Sequence, residues 1–146
     1  MERIALGFIV RENVTDDAVL DAIAKGLRLG RDEVAMIDDS GEQMQAALVE
    51  VLRRTGAFRC DVSLYLDAAR FPSGLQSADV APPIATVLGH DLIASPPRSL
   101  PATQNPYVWL LVQPDGEQFL VDELNPNAED LVMDEANRRP LNSVRA

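Results

Sequence analysis

The sequence predicts one α/β domain, with α+β as the alternative class, built as a mixed sheet of about six strands with helices packed on it. Three observations predict this class. RIALGFIV (3–10) and FRCDVSLYLD (58–67) alternate apolar and polar residues at period two, the mark of strands. A capped amphipathic helix pattern follows the first of these runs. Near the C-terminus, Pro114-Asp115-Gly116 joins two apolar runs into an antiparallel hairpin.

Each element has its own local reason. In the first strand Ile4, Leu6, Phe8 and Val10 share one face. Thr15 then caps a helix, with Asp16 and Asp17 at the positive end of its dipole. Val14 and Val19 form a hydrophobic staple, Leu20, Ile23, Ala24 and Leu27 make the apolar stripe, and Gly30 is the stop. DEVAMID is a second, shorter strand ending at Asp38 and Asp39. Ser40 and Gln43 then read as a capping box, with Met44, Ala47, Leu48, Val51 and Leu52 along one helical face and Gly56 as C-cap. The third strand carries Phe58, Cys60, Val62, Leu64 and Leu66 on one side. The expected order is therefore β-α-β-α-β, with right-handed parallel crossovers.

A loop over 68–77, a short helix in DVAPPIATVLG with its prolines in the first turn, and a short strand in HDLIAS come next. The segment 95–106 is rich in proline and reads as an irregular connector. The closing hairpin sets Leu111 opposite Phe119 and Trp109 opposite Val121. Its second strand is polar on one side and reads as a sheet edge. Trp109 reads as core, not as a binding platform. Residues 1–124 form the expected globular domain, and 125–146 a weakly helical extension ending in mobile residues.

Composition narrows the function. The chain has 146 residues, 47% of them apolar and 25% charged, and a net charge of −10. That charge repels phosphate backbones and anionic lipid, which argues against nucleic-acid and membrane-surface roles, and it attracts a basic protein partner. The N-terminal apolar run is short and flanked by charge, so it reads as a strand and not as a signal peptide. A lone cysteine makes no internal disulfide, in keeping with a cytoplasmic setting.

Catalytic residue types are scarce. His90 is the only histidine and reads as a helix C-terminal residue; Cys60 lies on the apolar face of a strand and reads as an inert core thiol. Nucleotide-cradling glycine motifs, a G-x-S-x-G elbow, CxxC and HExxH do not occur. The carboxylates Asp38, Asp39 and Asp67 would meet at one edge of the sheet if the second and third strands ran parallel, where α/β proteins place ligands. Arg70, Phe71 and Arg98 lie in the two irregular loops, where recognition commonly resides.

The leading expectation is a non-enzymatic, acidic, cytoplasmic protein-binding module of neutralising or adaptor type, without metal or cofactor. One alternative is a small-ligand or regulatory domain that uses the carboxyl edge of the sheet and the 95–106 loop, with a pocket walled by 68–78 and 95–106. The other is a Mg²⁺-dependent enzyme using Asp38, Asp39 and Asp67.

Overall fold

The computed structural model describes residues 1–100 and 106–144. Residues 101–105 of the expected connector and the last two residues of the expected mobile end lie outside the described part. Strand β1 (Arg3–Val10) leads through Thr15, whose Oγ1 accepts from Ala18 N at 3.1 Å, into helix α1 (Asp16–Gly26). After a 3₁₀ turn come β2 (Val34–Met36), β3 (Ala47–Arg53), β4 (Cys60–Asp67), helix α2 (Ser77–Leu88) and β5 (Leu92–Ala94). Then follow β6 (Val108–Val112), β7 (Gln118–Leu124), β8 (Val132–Met133), a second 3₁₀ turn, β9 (Arg139–Pro140) and the short α3 (Leu141–Val144).

These strands make one mixed sheet in the order β2-β3-β4-β1-β5-β6-β7-β8, with β9 also on β7. The coarse expectation of a helix-backed mixed sheet in one domain holds, but the sheet has nine strands, more than expected. Only β2 and β3 pair in parallel; every other ladder is antiparallel.

The largest departure is at 40–56, where a helix was expected and β3 is found. Ala47 and Val51 fit a stripe at period 3.6 and an alternation at period two equally well, so the pattern is ambiguous there. The structure resolves it by pairing Ala47–Arg53 with Leu66–Cys60, all of β4 but its last residue. Ala47 and Val49 are buried, whereas Met44 and Leu52, which a helix would have buried, are 72% and 58% exposed. The second β-α-β unit therefore does not exist. The first does, but β3 and β4 lie between its two strands.

Ser40 does not cap a helix. Its N–H and hydroxyl donate to Asp38 Oδ1 at 2.9 and 2.6 Å, closing a turn. Gln43 Nε2 donates to Met36 O and Gln43 Oε1 accepts from Asp38 N, both at 2.8 Å. Ile37 N meanwhile donates inward to Val49 O. Alternate residues of a strand direct their backbone groups to opposite sides, so the Gln43 amide satisfies the outer edge of β2 as a neighbouring strand would. Arg3 holds the same loop: its guanidinium donates to the carbonyls of Gln43, Gln45 and Tyr65.

Helix α2 begins at Ser77, two residues before the expected start at Asp79, so Pro82 and Pro83 fall inside it and not in its first turn. Asp79, whose Oδ2 accepts from Gln76 N at 2.8 Å, fixes that earlier start. Gly89, at φ 73°, ends the helix in the left-handed conformation.

One face of the sheet carries the main core. Phe8, Val10, Val62, Leu64, Leu66, Leu92 and Leu110 pack there against Val19 and Ile23 of α1 and Val80 and Ile84 of α2. The other face holds a smaller cluster of Ile9, Phe58, Ile93, Leu111, Phe119, Val121, Leu131 and Met133, with Trp109 packed against it. Phe58 thus sits on the side opposite to Cys60, not with it.

The hairpin has the expected register, Trp109 opposite Val121 and Leu111 opposite Phe119, with Gly116 at φ 93° in its turn. Its second strand is not an edge. The segment after 124, read as weakly helical, supplies β8 and β9 along the outer side of β7, and Leu131 and Met133 cover the small cluster. Two-residue strands carry no period, which is why the acidic stretch around them reads as helix. Among the described residues no helix is long and apolar enough to cross a membrane.

Two outcomes check this architecture by urea denaturation. Leu64→Ala, at a fully buried position between β1 and β3, is expected to cost about 2–5 kcal/mol. Gln43→Ala removes both edge hydrogen bonds and is expected to cost about 1–2 kcal/mol, small but resolvable.

Candidate functional site

The sheet topology decides where the six sequence-nominated residues lie. Since β2 and β3 are parallel while β3 and β4 are antiparallel, the end of β4 aligns with the start of β2: Leu66 pairs with Ala47, and Ala47 with Val34. Asp67 and the Asp38–Asp39 pair therefore sit at opposite ends of the register, and the premise of a shared carboxyl edge fails. The Asp67 and Asp38 carboxylates are also used locally. Asp67 Oδ1 accepts from Ala69 N at 3.0 Å, and the two hydrogen bonds from Ser40 hold the Asp38 carboxyl below its usual pKa. Among the described residues no group of three His, Cys, Asp or Glu side chains could hold a metal ion.

Asp38 instead joins Arg70 in a shallow depression of about 540 Å³ beside the edge strand, lined also by Asp32, Glu33, Glu42 and Gln45. Arg70 lies 3.0 Å from Glu33 in an ion pair, so its charge is already matched, and the other charged residues of the lining, Asp32, Asp38 and Glu42, are acidic. Met44 stands exposed in the same lining, and Ile37 and Asp39 at the end of β2 are exposed too. Sequence reasoning nominated Asp38, Asp39 and Arg70 but missed Met44, because it assigned that residue to a helix core.

Phe71 is partly buried against the main core and anchors its loop. Arg98 belongs to a different place. The loops 68–78 and 95–100 do wall a pocket, a cleft of about 360 Å³ lined by Ser73, Leu75, Gln76 and Ser77 on one side, Ser95, Pro96 and Arg98 on another, and Ile4, Ala5 and Leu6 of β1 at its base. Gln76 Oε1 accepts from Arg98 N at 2.8 Å and ties the two loops together. A second depression, of about 260 Å³, adjoins it through Ser77 and Ser95 and reaches Gly7, Ser63, the Arg54–Asp61 ion pair and Trp109 on the other face. The β1 residues in this cleft were missed because a strand pattern reports burial and not whether an edge is paired.

The reactive side chains are spent elsewhere. Cys60 is fully buried beneath the main core, with Arg53 Nη1 3.5 Å from its sulfur, and burial raises its pKa. His90 lies partly exposed between α2 and β5. No family model, curated protein or solved structure matches the chain, so the functional reading rests on this geometry.

A thiol held neutral by burial stabilises the fold below its unfolded pKa, and that contribution is lost as pH rises from there through the raised folded value. Cys60 is therefore expected to resist a disulfide reagent in the native protein at pH 8 and to react fully in denaturant. Labelling at equal rates in both states would contradict the buried assignment.

Proposed function

We propose that this chain is a non-enzymatic binding module that engages a basic protein partner at the acidic depression beside β2. The carrying observation is the arrangement there: Asp32, Asp38 and Glu42 surround a site where Met44 is 72% exposed, while the one lining cation is held by Glu33. An apolar anchor inside a charged rim suits a partner that presents an apolar side chain among arginines or lysines. Methionine adapts its shape to such a contact at little cost.

The loop is set for this use before any partner arrives. The Gln43 side chain and the Arg3 guanidinium fix the 38–46 backbone at three hydrogen bonds, to Asp38 N and to the carbonyls of Gln43 and Gln45, and tie it to Met36 O and Tyr65 O by two more, which lowers the ordering cost of association. The net charge of −10 adds long-range attraction for a basic surface. The poverty of catalytic groups, with one histidine, one cysteine and one lysine in the chain, supports binding over chemistry.

The test is affinity capture at low and high salt. A basic protein is expected to be retained at about 20 mM salt and released at about 500 mM, as screening of surface charge requires. The triple variant Asp38→Lys, Asp39→Lys, Glu42→Lys is expected to lose that retention, and Met44→Ser to weaken it several-fold. Retention of the same partner by the triple variant would refute this assignment.

A further inference from the structure

The cleft beside β1 has a property that its volume alone does not reveal. In an antiparallel ladder, alternate residues turn both backbone groups to the same neighbour. Arg59 N donates to Val10 O and Ala68 N donates to Glu2 O, so the even-numbered residues of β1 serve β4. Arg11 N donates to Asp91 O, and Ile9 and Val10 are the only β1 residues in register with β5, so the odd-numbered residues serve the β5 side. Strand β5 stops at Ala94, because Pro96 and Pro97 have no N–H to give a ladder, and the chain swings over to Gln76.

From Gly7 back towards Arg3, β1 therefore has no strand on that side among the described residues. Ser77 Oγ accepts from Gly7 N at 3.1 Å, standing in for one missing bond. The N–H and C=O of Ala5 and the C=O of Gly7 have no backbone partner among the described residues. Ala5 is exposed, and it lines the cleft with Ile4 and Leu6. The base of the cleft is thus, among the described residues, an unpaired strand edge inside the sheet, between β4 and β5.

We infer that this cleft takes an extended peptide segment of another protein, added as a strand along Ala5–Gly7, with a carboxylate of that segment held by Arg98. Backbone hydrogen bonds to the open edge supply the affinity, as in other strand-addition complexes. Ile4, Leu6, Leu75 and Pro96 give apolar contact to alternate side chains of the incoming strand. Arg98 fixes the sign of the charge. Its side chain is exposed. It makes no ion pair among the described residues, a condition it shares with Arg3, Arg28, Arg59 and Arg138, but of these five only Arg98 lines the cleft. In so acidic a chain, an unmatched arginine beside an open edge complements an acidic peptide. This occupant is opposite in charge to the basic partner of the acidic depression, so the two surfaces are independent.

The experiment is a titration of the full chain followed by amide NMR, using a capped six-residue peptide of alternating valine and serine ending in glutamate. The amides of Ala5 and Gly7 are expected to shift, and Ala5 to gain protection from exchange. The same peptide N-methylated at alternate residues is expected to bind at least about tenfold more weakly, since it cannot complete the ladder. Arg98→Glu is expected to reverse the preference from the glutamate peptide to a lysine-ended one; the Arg98 N to Gln76 bond is backbone and survives. Ala5→Pro breaks no internal hydrogen bond and is expected to abolish binding. Absence of shifts at Ala5 and Gly7, equal binding of the N-methylated peptide, or equal shifts produced by glutarate alone would each overturn strand addition.

Discussion

Strand β4 is the constraint on which the rest depends. Its eight residues pair with β1 on one side, and seven of those positions pair with β3 on the other. Its inward residues Cys60, Val62, Leu64 and Leu66 are completely buried under α1 and α2. A strand hydrogen-bonded on both sides leaves its neighbours no choice of conformation, because a helix at 47–53 would strand one whole row of β4 backbone groups without partners. That requirement outweighs the helical pattern of the β3 sequence.

The legible parts of the fold were those whose signals were local and repeated. Thr15 capping α1, the alternation of β1 and β4, and the turn at Gly116 each depend on residues within a few positions, and each appears as read save for Phe58, which precedes β4 and packs on its other side. The parts that misled depend on distant pairing. Ala47 and Val51 satisfy both periods, and only their contact with β4 separates them. Val132 and Met133 form a strand because β7 offers an edge there, not because two residues prefer to be extended.

The sites follow the same division. Arg70 and Arg98 were nominated because they lie in irregular loops, and each does line a depression. The meeting of Asp38 and Asp39 with Asp67 rested on strand direction, which sequence alone does not carry. Reversing one strand moved Asp67 to the other end of the register. Met44 and Ala5 were invisible for a related reason: exposure of a methionine and vacancy of a strand edge are properties of what does not pack nearby.

The two edges of this sheet are handled in opposite ways. At β2, where the strand is outermost and could pair with any extended chain, the Gln43 amide occupies the free backbone groups, and Asp38 and Asp39 add charge. This is the usual protection against unwanted pairing. At β1 the open stretch lies inside the sheet, recessed between Ser73–Ser77 and Ser95–Arg98. Its place between β4 and β5, and not at an outer end of the sheet, sets it apart from β2. Protection by recess leaves the hydrogen-bonding groups of Ala5 intact, whereas protection by an amide consumes those of β2. A fold that can block an edge with one glutamine, yet leaves another open behind two prolines, keeps that second edge available for binding.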